Sequence, residues 1–325
     1  DIGFFMEKWN ELYESKSGEP GIFSRGACQN IAERNGRRDA SFDFGTNPCS
    51  EIILRPFQFC NLTEIVVRDT DTLESLKQKA KVAAILGTIQ SSFTDFKYLR
   101  KKWQDTCNEE RLLGVSLTGV CDNLKLLTKE NLNELRDLVI ETNREWAGRL
   151  NIEVSTATTC VKPSGTVSQL VDSASGMHTR HSPYYIRTVR ADNNDPLTQF
   201  LKDSGVPNEP DAMAMDSTTV FSFPIKSPKN SLDREGQTSL EALQLWLHLQ
   251  NNWCEHKPSC TVSIKEEDWL KVGAWVYENF DLVCGVSFLP YSDHTYEQAP
   301  YDECDKKKFT QAKNHINGNQ KRSQS

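Results

Sequence analysis

Asn47, Pro48, Cys49, Ser50 and Glu51 set a carboxylate two residues from a thiol, and Phe57-Gln58-Phe59-Cys60-Asn61-Leu62 brings a second thiol soon after. An acid beside one sulfur with another in reserve is equipment for redox chemistry at a carbon centre. In an extended segment residues i and i+2 point to the same side, so Asn47, Cys49 and Glu51 are expected to converge on one small ligand. Pro48 biases Asn47 toward extended geometry and removes a backbone donor, which suits a stiff loop tip. From Pro56 to Val67 the residues are apolar and aromatic with β-branched Ile65, Val66 and Val67 at the end, and they read as a buried strand. Cys60 would then sit on a rigid element. Either thiol alone is equally compatible with a small core residue, and only the compound pattern points to chemistry.

A second constellation runs through Cys160-Val161-Lys162-Pro163-Ser164-Gly165-Thr166-Val167-Ser168. It follows the β-leaning stretch Val154 to Val161 and precedes Gln169-Leu170-Val171, so the order strand, tight turn and helix start is expected. Gly165 lets a backbone approach a ligand closely. Ser164, Thr166 and Ser168 offer hydroxyls near the unpaired N–H groups of a helix start, which together suit a phosphate. Taken singly, such a turn is also an ordinary capped turn.

The run from Asn47 to Ile65 resembles the active-site signature of ribonucleotide reductases. The form FQFCNLTEI is most similar to the monomeric, adenosylcobalamin-dependent class II enzymes that act on triphosphates. That resemblance implies that Cys49 becomes a thiyl radical and abstracts the 3′ hydrogen of a ribose. It implies further that Glu51 is the base for the 3′ hydroxyl, that the Asn47 amide orients the sugar, and that Cys60 is one of two thiols reducing the 2′ carbon. Pro163, Ser164, Gly165, Thr166, Val167 and Ser168 resemble the substrate-phosphate loop of the same family, as does the following run Ser175 to Tyr185. No chemistry is assigned to His178 or His181. A thiyl can take hydrogen from carbon only when the atoms are held at contact distance, and a carboxylate in hydrogen-bond reach helps water leave. No side chain generates a radical unaided, so a cofactor is implied. A glycyl-radical glycine motif is not seen after Cys284-Gly285-Val286, and Tyr184-Tyr185 lies in the wrong place for a tyrosyl relay. Adenosylcobalamin is the expected source.

These groups need a scaffold, and the pattern is repeated strand then helix. Candidate strands are 57–67, 112–117, 154–161, 259–264 and 282–289, separated by helical periods such as Leu73, Leu76, Ala80, Ala83 and Leu240, Leu243, Trp246, Leu247. Thr238 with Glu241 forms a capping box. The alternation predicts an α/β fold with parallel strands. By resemblance, five strands correspond to the second half of a ten-stranded α/β barrel of the ribonucleotide reductase and glycyl-radical type, entered by a finger loop. The expected segments are 1–46, the end of a first half-barrel and the entry to the loop; 47–304, a catalytic half-barrel; and 305–325, a polar, lysine-rich, disordered tail.

The 325 residues carry a net charge of −7, which argues against a general nucleic-acid binder, and no run approaches the apolar length of a membrane span. Ten cysteines without dense spacing indicate reduced thiols and a cytoplasmic protein. Cys254 to Cys260 lacks zinc-knuckle spacing, so no metal is expected. The resemblance implies a ribonucleoside triphosphate substrate and a thioredoxin-like dithiol reductant. Because nothing upstream of Cys49 resembles the first half-barrel, where the family carries the thiol partner of Cys60, an N-terminal reductase fragment is an expected partner. Cys28 lies on the wrong side of the loop for that role. An alternative is a non-catalytic nucleotide-binding fragment that assembles with a partner reductase subunit.

Overall fold

In the computed structural model, residues 1–291 and 297–322 are described, the last six of them as backbone only. Contacts divide the chain into two compact units, Asp1–Thr179 with Gln237–Tyr291, and Arg180–Gly236 with Ser292–Ser325. These boundaries differ from the expected segments 1–46, 47–304 and 305–325.

The first unit holds the five expected strands, all parallel where they pair. Asn61–Val66 pairs with Leu113–Thr118 in a register running from Asn61↔Leu113 to Val66↔Thr118, and Thr159–Cys160 continues the row through Val115↔Thr159. A parallel bridge at Val161↔Pro258 carries the row on. Thr261–Ile264 then pairs with Gly285–Pro290 from Thr261↔Ser287 onward. Ile22–Phe23 lies antiparallel on the outer edge of Gly285–Pro290. Every residue of Leu113–Thr118 is buried, as a parallel strand covered on both faces requires. Gly119 ends that strand at φ 75°, where an added Cβ would lie 2.5 Å from the Val67 carbonyl oxygen, so the turn tolerates only glycine.

Helices link the strands. Leu73–Ser91 starts on a Thr72–Ser75 capping box and buries Leu76, Ala80, Ala83 and Ala84. It packs on Lys129–Leu150, whose buried face includes Leu132, Leu135 and Val139. Ser239–Asn252 carries the expected Thr238–Glu241 box and buries Leu243 and Trp246, while Trp269–Glu278 buries Val272 and Val276. Three further helices escape the sequence periods: Ile2–Ser15, Lys101–Glu110, and Arg25–Asn35, the last capped by Ser24 and ended by Gly36.

The second unit is an antiparallel sheet in the order Tyr301–Glu303, Tyr184–Asp192, Thr218–Lys226, Asn208–Pro210. The sequence reading missed it. It also has helices Pro196–Asp203 and Lys306–Arg322. The second corrects the expectation of a disordered tail: Asp305 accepts from the Lys308 amide, and Phe309 is buried with its ring 5.2 Å from that of Tyr184. Residues 323–325 of that expected tail lie outside the described residues. No described helix is long and apolar enough to cross a membrane.

Candidate active site

The segment expected to be extended is a closed turn. The Ser50 amide donates to the Asn47 carbonyl at 2.9 Å, and the Ile52 amide donates to Asn47 Oδ1 at 3.0 Å. An asparagine side chain that accepts from a later amide stabilises such a turn locally, which overrides the extended bias from Pro48. Ser50 accordingly sits in the left-handed region at φ 65°. The convergence of Asn47, Cys49 and Glu51 on one side is therefore corrected: Cys49 is exposed and Glu51 is fully buried. Cys49 lines a cavity of about 700 Å³ together with Thr46, Pro48, Ser50, Pro163 and Ser259. The turn and the Pro163 loop thus share one cavity.

Behind the turn, Glu51 Oε1 meets Lys162 Nζ at 3.1 Å, and Oε2 accepts no hydrogen bond among the described residues. Burial draws the Lys162 ammonium down, but the hydrogen bond and charge of Glu51, and more weakly Cys49, leave its pKa raised. The Lys162 amide is fixed by Ser116 Oγ at 2.8 Å. Cys60 is half-buried and directly precedes the strand Asn61–Val66 instead of lying in it, because Phe57 turns the chain at φ 62°. Its sulfur packs at the bare face of Gly114, where an added Cβ would sit 3.2 Å away. Burial, then the Glu51 charge, push the Cys60 thiol far up, so it stays protonated. Cys160, fully buried, is pushed up by burial and by Cys60. Glu51, Cys60 and Lys162 form one electrostatic group.

The second motif folds as strand Thr159–Cys160, a loop, and a short helix Val167–Leu170. Ser164 and Ser168 are buried and bonded to each other: the Ser168 amide donates to Ser164 Oγ at 3.0 Å, and Ser168 Oγ donates to the Ser164 carbonyl. The Ser164 amide is held by Ser175 Oγ at 3.0 Å. Two of the three expected hydroxyls therefore shape the loop instead of facing a ligand. Gly165, Thr166 and Val167 are exposed, and no chain atom lies within 4 Å of a Cβ built on Gly165. Pro163 lines the Cys49 cavity. His178 is structural, its Nε2 accepting from the Thr261 amide at 3.2 Å.

Several supporting residues were not singled out from sequence. Arg38 grips Glu110 through two hydrogen bonds of 2.9 and 2.8 Å and donates to the Ile53 carbonyl at 2.8 Å. His256, fully buried, accepts from the Ile53 amide at Nδ1 (3.3 Å) and meets the Leu113 carbonyl through Nε2 at 2.9 Å. Lys257 Nζ donates to Ser50 Oγ at 2.6 Å. Lys162 stands inside a quoted motif, and its charge was the available signal. For Arg38 and His256 there was none, since only the fold brings them to Ile53.

No family model matches the chain. Among curated proteins, the adenosylcobalamin-dependent ribonucleoside-triphosphate reductase of Lactobacillus gasseri is 29% identical in a match that covers 93% of this chain and 45% of that protein. A probable enzyme of the same name from Dictyostelium discoideum is 33% identical over 284 residues, 82% of this chain and 36% of its own. The Euglena gracilis protein of that name is 28% identical over 91% of this chain. The chain thus spans less than half the length of these relatives. A crystal structure of a B12-dependent class II ribonucleotide reductase superposes with a TM-score of 0.75 at 24% identity, over 86% of this chain and 43% of that one. The class Id alpha subunit of Actinobacillus ureae superposes at 0.57 with 12% identity. The expected fold is shown by these superpositions, with five parallel strands and no closed barrel among the described residues.

Proposed function

We propose that this chain, whose relatives across 93% of its length are adenosylcobalamin-dependent ribonucleoside-triphosphate reductases, forms the catalytic half-barrel of such an enzyme. It would reduce ribonucleoside triphosphates to 2′-deoxyribonucleoside triphosphates. The observation that carries the proposal is the cavity shared by Cys49 and the Pro163 loop, with the Glu51–Lys162 pair behind it and an unpartnered carboxylate oxygen at Glu51.

Cys49 is the exposed thiol at the tip, in reach of a ligand in the cavity, and takes the 3′ hydrogen as a thiyl radical. Adenosylcobalamin, when bound, supplies the radical; the exposure of Cys49 on an open cavity fits a generator that approaches from outside. Glu51, once its buried Oε2 is uncovered to the cavity, is the acceptor for the 3′ hydroxyl proton, with Lys162 as its ion-pair partner. Cys60, held as a thiol and not a thiolate, is suited to give hydrogen. The balance is one ribose C–OH and two thiols going to C–H, one disulfide and one water. A second thiol, from an N-terminal reductase fragment, completes that pair, and a thioredoxin-like dithiol would reopen it. Asn47 orients the sugar through its amide nitrogen, since its oxygen is held by Ile52. The backbone of Gly165, Thr166 and Val167 faces the phosphates, with Ser164 and Ser168 holding the loop in shape. All ten cysteines are free thiols, which supports a cytoplasmic setting.

The test assays the chain alone and with an upstream reductase segment, given adenosylcobalamin, a ribonucleoside triphosphate and dithiol. Product should require both segments and vanish with Cys49→Ser while nucleotide still binds. Undiminished turnover in Cys49→Ser would refute the thiyl assignment, and nucleotide binding without any turnover would favour a non-catalytic fragment.

A further inference from the structure

Lys257 is a fully buried lysine, and no carboxylate makes a salt bridge with it among the described residues. Desolvating an ammonium without a counter-charge is costly, and burial draws its pKa below the ordinary lysine range although Cys284, Cys28 and Glu51 pull the other way. Its Nζ lies 2.6 Å from Ser50 Oγ and 4.8 Å from the centre of the Phe23 ring. The space for it is made by Gly285, where a Cβ would fall 2.1 Å from Nζ and 3.2 Å from Ser50 Oγ. The main chain repeats the tie, with the Lys257 amide donating to the Glu51 carbonyl at 3.2 Å. Ser259 Oγ, two residues on, donates to the Cys49 carbonyl. Ser50 is a serine at φ 65°, a conformation unfavourable for a non-glycine residue that persists only when the surroundings impose it.

We infer that Lys257 is a positioning residue: through Ser50 it locks the left-handed turn that aims the Cys49 sulfur into its cavity, with Gly285 as the notch that admits it. The 257–259 segment is then a clamp, gripping residues 49–51 by one ammonium, one hydroxyl and one backbone amide. The catalytic significance rests on the reading of Cys49 as the reactive thiol, but the clamp itself is measurable without turnover.

The test compares Lys257→Met, Ser50→Ala and the double variant by hydrogen exchange of the peptide spanning 46–52, read by mass spectrometry on the unliganded chain. Each single variant should speed exchange of the Ser50 and Ile52 amides at least ten-fold, and the double should be no faster than either. In the assembled enzyme, kcat should fall at least ten-fold with KM for nucleotide unchanged within two-fold. Ser50→Ala alters only a turn side chain and carries the test if Lys257→Met fails to fold. Unchanged exchange in a folded variant, or effects that multiply in the double, would overturn the clamp. Altered exchange with full activity retained in Cys49→Ser would leave the clamp standing and remove the thiyl reading instead.

Discussion

His256 should make this protein acid-sensitive in a defined window. Burial, chiefly, and the nearby Arg38 guanidinium hold its pKa down to about 3. Its two ring nitrogens serve Ile53 and Leu113, an arrangement that needs one donor and one acceptor and so the neutral ring. In the unfolded chain the imidazole titrates near its usual value of about 6.5. Between these values the unfolded state binds the proton and the folded state does not, so stability is full above about pH 6.5 and falls as pH falls toward 3. At pH 5 the loss from this group alone is about 2 kcal/mol, and fully titrated it is on the order of 5 kcal/mol. The perturbation is His256→Gln, which keeps a donor for Leu113 but cannot titrate. At pH 7 it should cost about 1–3 kcal/mol, because the Ile53 amide loses its acceptor. Urea unfolding at pH 7 and pH 5 then gives a difference of differences from which the carboxylates, common to both proteins, cancel. The wild type should lose about 2 kcal/mol more than the variant on acidification. Parallel losses would show that His256 is not held neutral and would refute the argument from burial.

Lys162→Met should destabilise by about 1–3 kcal/mol in urea unfolding, because the buried Glu51 loses its counter-charge while the partly exposed lysine lessens the effect. Adding Glu51→Gln should restore most of that. Arg38→Met should cost about 3–5 kcal/mol by leaving Glu110 charged and buried, and Arg38→Met with Glu110→Leu should cost far less, again by urea titration. Gly114→Ala puts a methyl 2.5 Å from Leu62 Cδ2 and 2.9 Å from Ile52 Cδ1, and should lower stability by about 1–3 kcal/mol. Iodoacetamide at pH 8 should alkylate Cys49 at least ten-fold faster than Cys60, read by peptide mass spectrometry, because burial and Glu51 keep Cys60 protonated.

What was legible in the sequence was what a local pattern carries. The five strands are runs of β-branched and apolar residues bounded by polar ones, and a strand buried on both faces, such as Leu113–Thr118, cannot read otherwise. Their parallel order followed from the helices between them. The turn at 47–51 failed the same approach because its geometry is decided by one side chain, Asn47, bonding five residues ahead, and by Lys257, some 200 residues away. Ser164 and Ser168 failed it for a related reason: four residues apart, two hydroxyls satisfy either a ligand or each other, and burial chose the second. Tyr184–Asp192 and Thr218–Lys226 pair over their whole length, yet their residues alternate too weakly in polarity to announce a sheet.

The failures have a common direction. Residues that could touch a ligand were found from their types, whereas the residues that hold them, Lys162, Lys257, His256 and Arg38, were not singled out: Lys162 offered its charge inside a motif, but a buried Lys257, His256 or Arg38 looks in sequence like any surface residue of its type. In the fold these four surround residues 50–53: Lys257 on Ser50, Lys162 on Glu51, Arg38 and His256 on Ile53. Four charged or polar side chains spent on three residues, Ser50, Glu51 and Ile53, is a heavy desolvation cost for one loop. Stability alone does not call for it, since apolar packing of the same volume does as well or better. The arrangement makes sense if the loop must hold one conformation while its tip, Cys49, stays exposed with no packing of its own to fix it. Under the role proposed for Cys49, a thiol that reacts only at contact distance would impose that demand.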